Sequence, residues 1–123
     1  MYREVILDHY KNPRNNEALV NPDIKKRDEN PLCGDVIEYH LNLKNGKVSK
    51  ASFTGKGCAI CIASSSILSE ELQGKNLEEV ENITREDMLD LVGVSLTPSR
   101  VKCAMLPLIT VKKGISEYKG DGK

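Results

Sequence analysis

With 123 residues and a mass of 13.7 kDa, the chain has the size of one domain and no room for a second substantial core. Its 39% hydrophobic residues suffice for a folded core, since a chain of this size buries roughly two thirds of the surface its unfolded form exposes. Eighteen Lys and Arg balance eighteen Asp and Glu, and there is no Trp beside four Tyr and one Phe, so neither a basic field nor a stacking platform for nucleic acid exists. No run approaches the ~18 apolar residues of a membrane span, and Met1–Glu4 is already charged, unlike a secretory leader. The expected setting is cytoplasmic, with no nucleic acid and no membrane as partner.

Tyr2, Val5, Ile6 and His9 or Tyr10 fall at helical spacing and predict a helix over residues 2–11, which Asn12-Pro13 ends because a residue before proline avoids helix. His9 reads as a helix residue satisfied by local hydrogen bonds. Residues 15–34 hold few apolar residues and two prolines, and read as loop with room for one edge strand; the charged run Lys25–Glu29 is most simply solvated loop. Val36–Leu43 alternates, with Ile37, Tyr39, Leu41 and Leu43 on one face and Glu38, His40 and Asn42 on the other, so it is a half-buried strand with His40 at the surface. Asn45-Gly46 signals a hairpin, and Lys47–Thr54 returns with Val48, Lys50 and Ser52 on one face and Ser49, Ala51 and Phe53 on the other. Gly55 and Gly57 break this strand. Ala59–Leu72 then reads as a helix whose Ala63, Ser64, Ser65 and Ser66 suit close packing, stopped by Gly74. Asn76 with Glu79 and Thr84 with Asp87 have the spacing of reciprocal caps and predict two short helices ending near Gly93. Thr97-Pro98 opens a last helix over Val101–Lys113, disturbed by Pro107, and Gly114–Lys123 should fray.

In a reducing compartment the four cysteines stay thiols, which makes metal or sulfur chemistry the first suspect. Cys33 sits in a loop, Cys58 just before a helix, Cys61 in its first turn, and Cys103 in the first turns of the last helix. Starts of helices stabilise thiolates, the form that binds metal and attacks sulfur. Cys61, among Ile60, Ile62 and Ala63, reads equally well as a small buried hydrophobe. Cys33-Gly34 and Gly57-Cys58 carry glycines, which mark sharp turns or close backbone approach. Asp35 alone reads as a turn or strand-entry cap. Cys58-x-x-Cys61 fits half a zinc site, a dithiol pair or chance; two further cysteines tilt it towards a metal.

Asn30-Pro31-Leu32-Cys33-Gly34-Asp35, Gly55-Lys56-Gly57-Cys58-Ala59-Ile60 and Arg100-Val101-Lys102-Cys103 together resemble the iron-sulfur cluster assembly scaffolds of the NifU/IscU/SufU type, as does Val5–Asn15, so the similarity runs to about Gly114. The resemblance implies one scaffold domain over residues 1–123. Its implied fold is α+β, SufE/NifU-like, with a small antiparallel sheet of about three strands and helices packed on one face. It implies a site at one end of that domain made of Cys33, Asp35, Cys58 and Cys103, holding Zn2+ at rest and a transient [2Fe-2S] cluster. Cys33 would accept persulfide sulfur from a pyridoxal-phosphate (PLP)-dependent cysteine desulfurase, and apo iron-sulfur proteins would be the recipients. Lys102 before the last cysteine looks like SufU, where IscU proteins carry histidine, and leaves Asp35 as the implied fourth ligand; yet the chain lacks the insertion of roughly twenty residues typical of SufU. Cys61 stands where the family usually has serine, so it is an additional ligand candidate or a resolving thiol, with the ligand role disfavoured. The competing functions are a structural zinc module closed by four cysteines and a dithiol oxidoreductase using Cys58 and Cys61. A weak homodimer is compatible with the sequence.

Overall fold

A computed structural model describes residues 4–31 and 34–121. In chain order these form helix α1 (Glu4–Lys11), strands β1 (Ile24–Asn30), β2 (Asp35–Lys44) and β3 (Lys47–Lys56), and helices α2 (Ala59–Leu72), α3 (Leu77–Glu81), α4 (Arg85–Val92) and α5 (Pro98–Asp121). The strands make one antiparallel sheet in the order β1-β2-β3. Its inner face, carrying Ile37, Tyr39, Leu41 and Phe53, is buried under α2 and α5, which is the α+β arrangement expected. Both short helices start with the reciprocal caps read from Asn76–Glu79 and Thr84–Asp87, and Gly93 ends α4 in the left-handed conformation.

The strict alternation expected for β3 fails at one residue. Leu41 pairs with Ala51, Asn42 with Lys50 and Leu43 with Val48, so Ser49 is the extra residue of a bulge. The bulge resets the phase and turns both Val48 and Ala51 inward. On the outer face His40, expected at the surface, is only 2% exposed. The segment ahead of β1 crosses it: the Leu19 N–H donates to His40 Nδ1 at 2.9 Å, while Nε2 lies 2.8 Å from Glu38 Oε1. A segment poor in apolar residues covers this face because its backbone groups supply the hydrogen bonds.

Three further expectations are corrected. Lys25–Glu29 is no solvated loop but the middle of β1, an edge strand in charged residues; Lys26 pairs with Glu117 at 2.5 Å and Asp28 with Lys113 at 2.8 Å. His9 is not locally satisfied: its Nδ1 lies 2.7 Å from Ser66 Oγ of α2, which also accepts the Arg14 N–H at 2.8 Å. Ile6 and His9 make the buried face of α1, whereas Val5 and Tyr10 are exposed and Tyr2 lies outside the described residues. The tail does not fray at Gly114. α5 runs through Pro107 to Asp121 because Ile115 is completely buried, and Gly114 lets the helix approach β1, where a Cβ would sit 3.0 Å from Ile24 Cγ2.

Candidate metal centre

Pairing of Asn30 with Asp35 and of Val36 with Lys56 brings the β1–β2 connection and the end of β3 to one end of the sheet. Two glycines then let the chain reverse into α2. Gly55 has φ +149°, and a Cβ there would lie 2.0 Å from the Val36 carbonyl oxygen. At Gly57 a Cβ would lie 2.7 Å from Asp35 Oδ1, so this glycine makes room for the carboxylate. Asp35 is 1% exposed. Its Oδ1 accepts the N–H of Cys58, the N-cap residue of α2, at 3.0 Å, and its Oδ2 stands 3.9 Å from Cys58 Sγ. Cys103, in the second turn of α5, comes in from the side with its Sγ 3.6 Å from the Ser99 carbonyl oxygen. Ligand atoms of Asp35, Cys58 and Cys103 all lie within 4.8 Å of one another.

Burial pushes the Cys103 thiol well above its ordinary range, and Asp35 and Cys58 beside it push the same way. Desolvation is the leading cause. Among the described residues no ion pair reaches Asp35. A buried carboxylate beside two thiols is a donor set that could hold a metal ion. The donor set fits one that accepts soft ligands: two ligands of a tetrahedral zinc span ~3.6 Å, against the 3.9 Å between Asp35 Oδ2 and Cys58 Sγ.

Of the residues singled out from the sequence, the structure thus gathers Asp35, Cys58 and Cys103. Cys33 lies outside the described residues; the chain fixes it two positions before Asp35, between exposed Pro31 and Gly34. Cys61 is completely buried in the core and is not part of the group. Lys102 is exposed beside Cys103. What the sequence reading missed is the Cys58 N–H as the donor that orients Asp35; the Gly57 signal was visible but not its target.

Fold and site together define a small α+β protein with a buried thiol and carboxylate cluster of the kind suited to soft-metal or sulfur chemistry. The chain belongs to the NifU-like N-terminal domain family, which matches residues 1–123. It is 36% identical over 137 aligned positions to the zinc-dependent sulfurtransferase SufU of Bacillus subtilis (strain 168), covering 98% of this chain and 92% of that one. The alignment exceeds the 123 residues present here, so that relative carries residues this chain lacks. The iron-sulfur cluster assembly scaffold protein IscU 1 of Archaeoglobus fulgidus is 31% identical over 118 residues, covering 96% of this chain and 76% of its own. A crystal structure presented as a candidate iron-sulfur cluster assembly scaffold protein for the SUF system of Fervidobacterium islandicum AW-1 superposes with a TM-score of 0.79 at 26% identity, over 93% of this chain and 96% of that one.

Proposed function

We propose that the chain acts as one cytoplasmic scaffold domain that takes persulfide sulfur from a PLP-dependent cysteine desulfurase and passes it on as sulfur or as a transient [2Fe-2S] cluster to apo iron-sulfur proteins. One observation carries this reading: ligand atoms from Asp35, Cys58 and Cys103 lie within 4.8 Å of one another at the end of the sheet from which the Cys33 connection springs. Cys33 would complete the set. Zinc bound there at rest would keep the thiols deprotonated and guard them from oxidation.

The division of labour follows from how each sulfur is held. Cys58 caps α2 and Cys103 stands in α5, whereas Cys33 falls in the sequence between the end of β1 and the start of β2, with Pro31 and Gly34 on either side, and is assigned the part of meeting the partner. Its thiolate attacks the terminal sulfur of the desulfurase persulfide; a new S–S bond forms at Cys33, the donor S–S bond breaks, and the desulfurase cysteine leaves as thiolate. A dithiol exchange between Cys58 and Cys61 would need Cys61 accessible, and it is completely buried. Incubation with a desulfurase and cysteine, followed by mass spectrometry, should place the persulfide on Cys33. Cys33→Ser should lose the adduct and the stimulated sulfide release, while Cys61→Ala keeps most of both. Label confined to Cys61 would sink the proposal.

A further inference from the structure

β1 ends the sheet on one side, and half of its backbone is turned away from its neighbour. On the opposite side of the sheet the Phe53 N–H donates to the Asn15 carbonyl, outside the ladder with β2. Antiparallel ladders alternate, so Tyr39, the partner of Phe53, turns its backbone to β1, where it meets Lys26. Ile24, Lys26, Asp28 and Asn30 therefore bond β2, and the backbone groups of Lys25, Arg27 and Glu29 point outward. At Glu29 the N–H is already taken, by Asp28 Oδ1 at 2.9 Å; Lys25 and Arg27 have no outward backbone partner among the described residues. The side chains of all three lie on the face away from α5, are exposed, and make no ion pair among the described residues.

We propose that β1 pairs antiparallel with β1 of a second copy of this chain, about a two-fold axis at Arg27, joining the two sheets into one. Charge selects the register. With Arg27 facing itself, Lys25 faces Glu29 and Lys26 faces Asp28, each twice, so every pair but the central one sets unlike charges together. The two Arg27 have Glu38 directly beside them on β2 of each copy. Centring on Lys26 instead opposes Lys26 to itself and Lys25 to Arg27, and centring on Asp28 leaves Arg27 with Glu29 as the one kind of unlike pair. Main-chain bonds follow the same register: two between the Arg27 residues, and one from each Lys25 N–H to the Glu29 carbonyl of the other copy, which leaves the Glu29 N–H on Asp28.

The same axis brings the long helices together in step. Lys26 pairs with Glu117 and Asp28 with Lys113, so α5 runs alongside β1 with Glu117 above Lys26 and Lys113 above Asp28. Where Lys26 meets Asp28 of the second copy, Glu117 comes to face Lys113 of that copy, and the charges alternate in sign across the axis. There is room for both helices. α5 packs on β2 as well as on β1, which sets it inward of the edge; about two strand spacings, ~10 Å, then separate the two copies of α5, a normal packing distance. The metal centres stay apart. Asp35 is the partner of Asn30, ~10 Å along the strand from Arg27, so the two-fold holds the clusters ~20 Å apart and neither copy supplies a ligand to the other.

Sedimentation equilibrium of the reduced full chain, with and without zinc, tests the pairing. A monomer–dimer equilibrium is expected in both, weakening as salt rises. Lys25→Glu and Glu29→Lys should each weaken it roughly tenfold, since each reversal sets like charges together in two pairs, and the double variant should restore it, because the exchanged charges again face their opposites. Arg27→Pro removes an outward N–H without touching the ladder with β2 and should abolish the dimer while circular dichroism is unchanged; should that variant not fold, the charge exchange decides alone. A chain still monomeric at about 1 mM, where even weak association shows, overturns the proposal. So does a dimer that forms only with zinc, that survives Arg27→Pro, or that the double variant does not restore.

Discussion

Substituting Gly57 by alanine tests whether the glycine before Cys58 exists for the sake of Asp35. The new Cβ would lie 2.7 Å from Asp35 Oδ1 and 3.0 Å from its Cγ, so the carboxylate must swing away and release the Cys58 N–H, 3.0 Å distant. Loss of a hydrogen bond to a charged, buried acceptor costs about 2 kcal/mol, and misplacing a group that orients a site lowers metal affinity roughly ten- to hundredfold. In an Asp35→Ala background the obstruction is gone. Gly57 lies outside the left-handed region, so there the alanine should be neutral, or stabilise by about half a kcal/mol by restricting the unfolded chain. The cycle of single and double variants should therefore show a coupling of about 2 kcal/mol, read by urea unfolding of the metal-free, reduced protein. Competition with a chromogenic chelator should show the Gly57→Ala loss of zinc affinity vanish in the double variant. If Gly57→Ala costs the same with and without Asp35, the glycine serves the backbone alone and the carboxylate is not held as described.

Two further outcomes test corrections to the sequence reading. Burial, followed by the Arg14 charge, holds His9 below its ordinary value of 6.5 although Glu70 and Asp8 pull the other way. The unfolded chain then takes up the proton first, so stability is whole above about pH 6.5 and falls as pH drops towards the folded value, by about 1.4 kcal/mol per unit of difference; urea midpoints from pH 7.5 to 5 should slope less in His9→Asn, and equal slopes would refute it. Ile115→Ala should cost about 2–5 kcal/mol, because Ile115 is fully buried; a frayed tail would make the change almost silent in thermal unfolding.

What could be read from the sequence was what local chemistry dictates. The caps at Asn76 and Thr84, the Asn45-Gly46 turn and the Ala59–Leu72 helix each rest on residues within a few positions of one another, and all are present. The errors share a different cause. His9 finds Ser66 across 57 positions and His40 finds the Leu19 N–H across 21, and no periodicity reports such partners. Lys25–Glu29 looked like loop because an edge strand can be charged on both faces when a helix supplies the counter-ions, here Lys113 and Glu117. Gly114 looked like a breaker because its reason for being small, the close approach of Ile24 and Lys26, lies 90 residues upstream. The three cysteine motifs pointed to Asp35, Cys58 and Cys103 through resemblance, and the fold independently brings these three together.

The way Asp35 is held bears on how such a cluster could release what it binds. Oδ1 is committed to the Cys58 N–H, leaving Oδ2 towards the thiols. A carboxylate tied in this way presents Oδ2 as its freer oxygen. Oxygen is also the harder donor beside sulfur, which makes Asp35 the weakest link of the set in binding a soft ion. Cys58 and Cys103, by contrast, are carried by α2 and α5, which pack on each other and on the sheet; moving either sulfur far would disturb the core. Were a soft ion bound here, exchange would begin on the sheet-end side, where Asp35 begins β2, while the sulfurs of Cys58, at the start of α2, and Cys103, in α5, would keep hold.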